Sequence, residues 1–176
     1  MHNGLIVRRE QVEDQRAVWN VARLAFNQDE EADLIDRLRS NEQVFIPDLS
    51  LVATIGSDIV GHILFTKIKI IDDGQNEHIT LALAPVSVVP AFQNQGVGSR
   101  LIRHGLDVAT KLGYTSVIVL GHEHYYPRFG FYPARKWGIL APFDVPENVF
   151  MAMELAEDSL VGISGTVRYP EEFGGV

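Results

Sequence analysis

The sequence contains no cysteine. Disulfides, thiolate metal sites and a cysteine nucleophile are thereby excluded, and the composition suits a cytoplasmic protein. It also lacks any run of about 18 or more apolar residues, so no membrane-spanning helix and no membrane partner are expected. The opening Met1-His2-Asn3-Gly4 has neither the basic nor the apolar region of a signal peptide. Basic residues are in deficit, 15 Lys and Arg against 23 Asp and Glu, for a net charge of −8. A general nucleic-acid binder normally carries a basic face, so nucleic acid is not an expected partner. An acidic surface would favour a cationic amine, but solubility alone accounts for it more simply. Internal repeats, low-complexity tracts and Pro/Gly/Ser-rich linkers are absent as well. What is present is 176 residues, 46% of them hydrophobic, enough for one domain with a core. We expect a single domain over 1–176, with its core at about 5–155 and a C-terminal extension at 156–176.

Leu5-Ile6-Val7 predicts a short first strand. Val12, Val18, Ala22, Ala25 and Phe26 then recur at helical spacing, with Glu13 and Asp14 in the first turn where a helix dipole favours acids. A second helix is predicted over 30–40, with Leu34, Ile35 and Leu38 on its apolar face. Residues 49–55 and 59–71 are β-rich runs separated by the turn Gly56-Ser57-Asp58. Asp72-Asp73-Gly74 marks the next turn, and 79–89 the next strand. Pro85 cannot donate a ladder hydrogen bond, so regular pairing should fail there. A long helix carrying Leu101, Ile102, Leu106, Ala109 and Leu112 ends at Gly113. Its mid-helix Gly105 costs about 1 kcal/mol against Ala, which suggests close packing on a sheet. A nearly all-apolar strand at 115–120, a further helix, a strand at 150–155 and a small C-terminal hairpin complete a mixed α/β order.

The informative stretch runs from Val86 to Arg100. An apolar β-type run stops at Pro90, a polar loop holding Gly96 and Gly98 follows, and a helical pattern begins. Such a junction points unpaired backbone N–H groups outward at the positive end of a helix dipole, which suits phosphate. Glycines there can take the positive φ of an anion nest and carry no Cβ to keep the anion away. A P-loop would need Lys and then Ser or Thr after the second Gly, and a dinucleotide fingerprint a third Gly where Leu101 stands. Instead, Gln93-x-x-Gly96-x-Gly98 resembles the acyl-CoA pyrophosphate loop of the GNAT (GCN5-related N-acetyltransferase) superfamily. A second block agrees. Tyr125-Tyr126-x-x-Phe129-Gly130-Phe131, with Val60-Gly61-His62-Ile63-Leu64-Phe65 and Leu83-Ala84-Pro85-Val86, is similar to the bacterial YhbS-like branch, a similarity running from about Ile6 to about Phe173.

That resemblance implies an α/β GNAT fold, a mixed and mostly antiparallel sheet with splayed central strands flanked by helices. It implies transfer of an acetyl group from acetyl-CoA, a cosubstrate, to a primary amine of a small-molecule or protein acceptor by direct attack, with no metal. A homodimer is common in the superfamily and stays open here. By family position the acyl arm would pair with backbone at Val86, Ser87 and Val88, with Val88 N–H as oxyanion donor. The pyrophosphate would lie on the amides of Asn94, Gln95, Gly96, Val97, Gly98 and Ser99. Arg100 and Arg103 would add charge at the rim or simply be solvated. Tyr126 is the expected acid, because a phenol with pKa near 10 stays neutral at pH 7 yet can protonate a leaving thiolate. Tyr125 is one residue out of register. The base is open among Glu30, Glu31, His62, His122, Glu123, His124 and a water relay, since Leu81-Ala82-Leu83-Ala84 is apolar where relatives place a glutamate. His122-x-His124 beside Glu123 invites zinc, but no distant fourth ligand is evident. Glu10, Asp144, Met151 and Met153 carry no functional reading. The loop between the first two helices, the Asp72–Glu77 turn and 136–147 are expected to shape the acceptor pocket. The alternative is a non-catalytic acyl-CoA-binding sensor on the same fold.

Overall fold

A computed structural model describes residues 4–174. The signal-peptide reading of Met1–Asn3, and the last two residues of the extension, lie outside the described residues. The strands are β1 (Leu5–Arg9), β2 (Phe45–Ile55), β3 (Asp58–Ile71), β4 (Glu77–Val88), β5 (Ser116–Leu120), β6 (Tyr132–Pro133), β7 (Ile139–Leu140), β8 (Phe150–Glu154) and β9 (Gly165–Arg168). The α-helices are α1 (Gln15–Phe26), α2 (Glu30–Arg39) and α3 (Val97–Lys111). By contacts the chain forms two compact units, Met1–Thr66 with Ala84–Val108, and Lys67–Leu83 with Ala109–Val176. β3, β4 and α3 each contribute a segment to both.

In the first unit β1 and β2 are antiparallel, Leu5 facing Ile55 and Arg9 facing Leu51. β2 and β3 form the predicted hairpin: Ile55 pairs with Asp58 across a two-residue loop in which Gly56 supplies the positive φ of +61°. Gly61, Ile63 and Phe65 alternate onto the face covered by α3. A Cβ at Gly105 would collide with the Phe65 ring, so the missing side chain is what seats α3 there. The opposite face of β2 and β3, carrying Ser50 and His62, receives Arg39 from α2. α1 buries Val18, Val21 and Ala22, and ends at Asn27 in the left-handed conformation. β2 begins at Phe45 and so reaches further back than the expected 49.

In the second unit β4 pairs in parallel with β5 at Leu81↔Val117 and Ala82↔Ile118, and β5 pairs with β8 antiparallel from Ser116↔Glu154 to Leu120↔Phe150. The Thr80 and Ser116 hydroxyls, both buried, bond at 2.7 Å one residue before the first of the parallel pairs. Two expectations need correction here. The helix expected after β5 is instead a pair of 3-10 turns, Tyr126–Phe129 and Ala134–Trp137. Pro127 and Pro133 lie at their starts, and Gly130 and Gly138, at φ +109° and +78°, close them. Among the described residues the tail forms no hairpin of its own. β9 lies antiparallel on β3, Ile70 facing Val167, and parallel to β7. Gly165 makes this approach possible, because a Cβ there would collide with the Ile71 carbonyl. Ile68, Ile70, Ile118, Phe150, Leu160 and Val167 are core residues of this unit.

Candidate functional site

The end of β4 is fixed by one hydrogen bond. The Val89 N–H donates to the Val60 carbonyl of β3 at 3.0 Å. Backbone amides alternate sides along a strand, so the N–H groups of Val86 and Val88 point the other way, away from β3. Pro85 and Ser87 are buried while Val86 and Val88 are half-buried. Pro85 lies beyond the last β4–β5 pair, and by the same alternation its nitrogen, which has no hydrogen to donate, is turned to the β3 side. The Val88 carbonyl is held by the Gln93 side-chain amide at 2.9 Å. The sequence reading gave Gln93 a place in the motif but no such role.

Beyond β4, Pro90–Phe92 forms a 3-10 turn, and Asn94 and Gly96 both adopt positive φ, +62° and +86°. Gln95 Nε2 donates back to the Ala91 carbonyl at 3.1 Å, closing the loop on itself. α3 then starts at Val97, and the Arg100 N–H is bonded to the Gly96 carbonyl at 3.1 Å. The amides of Val97 and Gly98 precede that first helical bond, so the ladder offers them no acceptor. The left-handed residues and first-turn amides are therefore adjacent on one loop, the arrangement an anionic phosphate needs. Arg100 is engaged elsewhere, its guanidinium donating to the Leu5 carbonyl at 3.2 Å. Arg103 is exposed.

In the second unit Tyr126 is buried in an aromatic cluster. Its ring meets Tyr125 edge-on at 5.2 Å and Phe131 at 5.7 Å, with Phe129 at 6.3 Å. Burial first, and the neighbouring Tyr125 second, push its pKa up to about 12, so the phenol holds its proton throughout the physiological range. A Cβ on Gly121 would collide with the Tyr126 ring. Gly121 therefore makes the room that Tyr126 occupies, and nothing in its spacing signalled this. Tyr125 is half-buried beneath the Arg128 guanidinium, 4.6 Å from its ring centre.

The candidate bases divide sharply. Glu30 and His122 are exposed, and Glu31 accepts from Gln28 at 2.9 and 3.1 Å. His124 is 90% exposed, 3.7 Å from Glu123, and among the described residues no group of three His, Asp or Glu could hold a metal ion. His62 is fully buried, with its pKa lowered to about 3 by desolvation and then by Arg39. Its Nε2 lies 2.9 Å from Ser50 Oγ, which donates to Glu10 at 3.1 Å. Glu10 in turn takes two bonds from Arg39, at 2.6 and 3.2 Å. Glu10, read as functionless in the sequence, is thus the centre of a buried polar chain.

Two cavities border segments expected to shape the acceptor pocket. One of about 210 Å3 is lined by Ile139, Phe143, Val145 and Phe150, with the Arg135–Glu147 ion pair at its edge. The other, an open groove of about 420 Å3, runs past Asp72, Asp73, Gln75 and Arg168.

Three comparisons bear on this geometry. A model of the Acetyltransferase (GNAT) family matches residues 10–132. The uncharacterized N-acetyltransferase YjhQ of Escherichia coli K12 is 39% identical over 171 residues, covering 93% of this chain and 92% of its own. Among solved structures, E. coli YhbS in complex with CoA superposes with a TM-score of 0.88 at 29% identity, covering 98% and 96% of the two chains. A GNAT family acetyltransferase from Brucella melitensis in complex with acetyl-CoA gives 0.77 at 30% identity, covering 98% and 99%. The chain belongs to the GNAT acetyltransferase family. It is an acyl-transferring enzyme on that fold, with an acceptor still to be identified. No helix among the described residues is long and apolar enough to cross a membrane.

Proposed function

We propose that this single-domain protein is a cytoplasmic N-acetyltransferase that carries the acetyl group of acetyl-CoA to a primary amine, with Tyr126 as acid. The observation that carries the reading is the β4-to-α3 junction: amides of Val86 and Val88 turned away from β3, followed by a positive-φ loop and the first-turn amides of α3. Those groups fit a long nucleotide with an amide-bearing arm. Val86, Ser87 and Val88 would receive the arm as an added strand, and Asn94 to Ser99 the pyrophosphate. Bound acetyl-CoA supplies an activated thioester.

In this mechanism the Val88 N–H donates to the thioester oxygen, where negative charge develops as the amine attacks. The nitrogen–carbon bond forms and the carbon–sulfur bond breaks. Tyr126 gives its phenolic proton to the departing sulfur and regains one from solvent, which receives the proton lost by the amine. A phenol with its pKa raised to about 12 is a weak acid towards water, but it is always protonated when the thiolate needs it. No carboxylate stands on β4 at 81–84, so water is assigned as the acceptor of the amine's proton.

Calorimetric titration of the protein with CoA and acetyl-CoA, followed by thiol release across a panel of primary amines, tests this. Binding with turnover is expected; binding without turnover on any amine would make the protein a sensor instead. Tyr126→Phe should lower kcat by about 10²–10⁴-fold with acetyl-CoA affinity little changed. Unaltered turnover in an assay limited by chemistry would remove Tyr126 from the mechanism.

A further inference from the structure

Among the described residues, three buried side-chain polar atoms have no hydrogen-bond partner: His62 Nδ1, Ser87 Oγ and Thr66 Oγ1. Buried polar groups are nearly always paired, and those left without a protein partner usually hold an internal water. Two of the three belong together. Ser50 spends its only hydroxyl proton on the Glu10 carboxylate, so the bond at its oxygen must come from a protonated Nε2 on His62. Nδ1 is then a bare lone pair in the interior, an acceptor requiring a donor.

The donor's position follows from the β3–β4 register. β3 and β4 are hydrogen-bonded neighbours joined by the short Asp72–Asn76 turn, hence antiparallel. With Val89 N–H on the Val60 carbonyl, stepping two residues along each strand sets Ser87 across from His62, on the same face. The Ser87 carbonyl lies on the Gly61 side of β4, only 3.1 Å from where a Cβ on Gly61 would stand, as this register requires. Facing residues have Cβ atoms about 4.5–5.5 Å apart. Their polar ends make no direct bond, yet one water can reach both. Thr66 is four residues along β3, about 13 Å from His62, and cannot share that water.

We infer that a single internal water joins His62 Nδ1 to Ser87 Oγ, and that through it the chain Arg39–Glu10–Ser50–His62 holds the end of β4 in register. His62 is accordingly a positioning residue. It acts on Ser87, which stands between the two residues whose amides are assigned to the acyl arm, and so rests on the functional reading above. The water donates one hydrogen to Nδ1 and accepts from the Ser87 hydroxyl, satisfying both orphaned atoms. The chain terminates on the doubly bonded Arg39–Glu10 pair, with side chains only 12% and 5% exposed, so its far end is fixed to α2.

Position 62 separates the two ends of the imidazole. Gln places its terminal amide near Nε2, keeps the bond to Ser50 and loses the acceptor for the water. Asn places its amide oxygen near Nδ1 and keeps that acceptor. The wild type, His62→Gln, His62→Asn, Ser87→Ala and the Gln/Ala double variant are compared for CoA binding and for kcat and KM of acetyl-CoA. A high-resolution crystal structure of the wild type is examined for the water. His62→Gln and Ser87→Ala should each lower kcat/KM for acetyl-CoA about 10-fold, the factor one hydrogen bond carries, and the double variant should be no worse than either. His62→Asn should recover most of the loss. A density peak within hydrogen-bond distance of both atoms is expected in the wild type. An empty gap there, multiplying effects in the double variant, or an Asn variant as impaired as the Gln variant would overturn the inference. Failure of the wild type to bind CoA at all would sink the functional reading itself.

Discussion

In the proposed reaction the hydroxyl of residue 126 would be useful only with its ring held in one place. The ring packs against Tyr125, Phe129 and Phe131 and lies close against the bare backbone of Gly121. Gly121 is itself pinned, its N–H donating to the Val149 carbonyl at 2.9 Å. Neither partner can easily retreat. Gly121→Ala should therefore displace the Tyr126 ring, costing about 1–3 kcal/mol of overpacking and lowering kcat by at least 10-fold with acetyl-CoA affinity little changed. Thermal melts and steady-state kinetics on one preparation check both numbers; a variant with normal kcat would show that the ring's position is not critical. Tyr126 could be singled out in the sequence because its place is set relative to a local Gly-Phe pair. Gly121 was not, since a glycine that makes room for a ring five residues later leaves no periodic trace. Gln93 is a similar case: its motif position was visible, but its bond to the Val88 carbonyl depends on the loop's path.

Among the elements, the long strands and helices were readable because each has an apolar face of the right period. α3 shows how much a single position adds to that pattern. Gly105 was expected to mark close packing, and the structure gives the cause in the Phe65 ring seated against it. Two effects oppose each other in Gly105→Ala. Helix propensity favours Ala by about 1 kcal/mol, whereas the new methyl must displace a fully buried Phe65 at a cost of about 1–3 kcal/mol. Net destabilisation is expected, read as a lower denaturant midpoint with an unchanged slope. Stabilisation would mean that propensity wins and that the contact can relax. The short elements of the second unit escaped the sequence reading for the opposite reason. The two-residue β6 and β7 are too brief to show a period, and β9 was misread as half of a hairpin because its partners, β3 and β7, are distant in sequence. The Tyr126–Trp137 stretch carries helical composition, but prolines and left-handed glycines cut it into single turns.

For the molecule as a whole, pH-dependent stability is where a buried histidine makes itself felt. The ordinary histidine pKa is 6.5, and in the fold that of His62 falls to about 3. The unfolded chain thus binds this proton first as pH falls, while the folded chain still excludes it. Stability from this group is complete above pH 6.5 and is lost progressively down to about 3, at up to roughly a kcal/mol per pH unit. Asp14 acts in the same direction, its pKa lowered by the two hydrogen bonds from Arg8. It begins from an ordinary value of 3.8, so its contribution falls away mainly in the lower part of that range. The interval between about pH 6.5 and 4.5 is where His62 can be read. Denaturant midpoints for the wild type should decline across it, and His62→Asn, which has no proton to take up, should decline less steeply. Parallel slopes would mean that His62 is protonated at little cost in the folded chain, contrary to an imidazole enclosed among Ser50, Glu10 and the strands. Sequence alone could not have forecast this behaviour. His62 sat in an apolar run as one candidate base among six, and only the pairing of β1 with β2, which sets Glu10 beside Ser50, and the folding of α2 back onto β2, which brings Arg39, put those charges behind it.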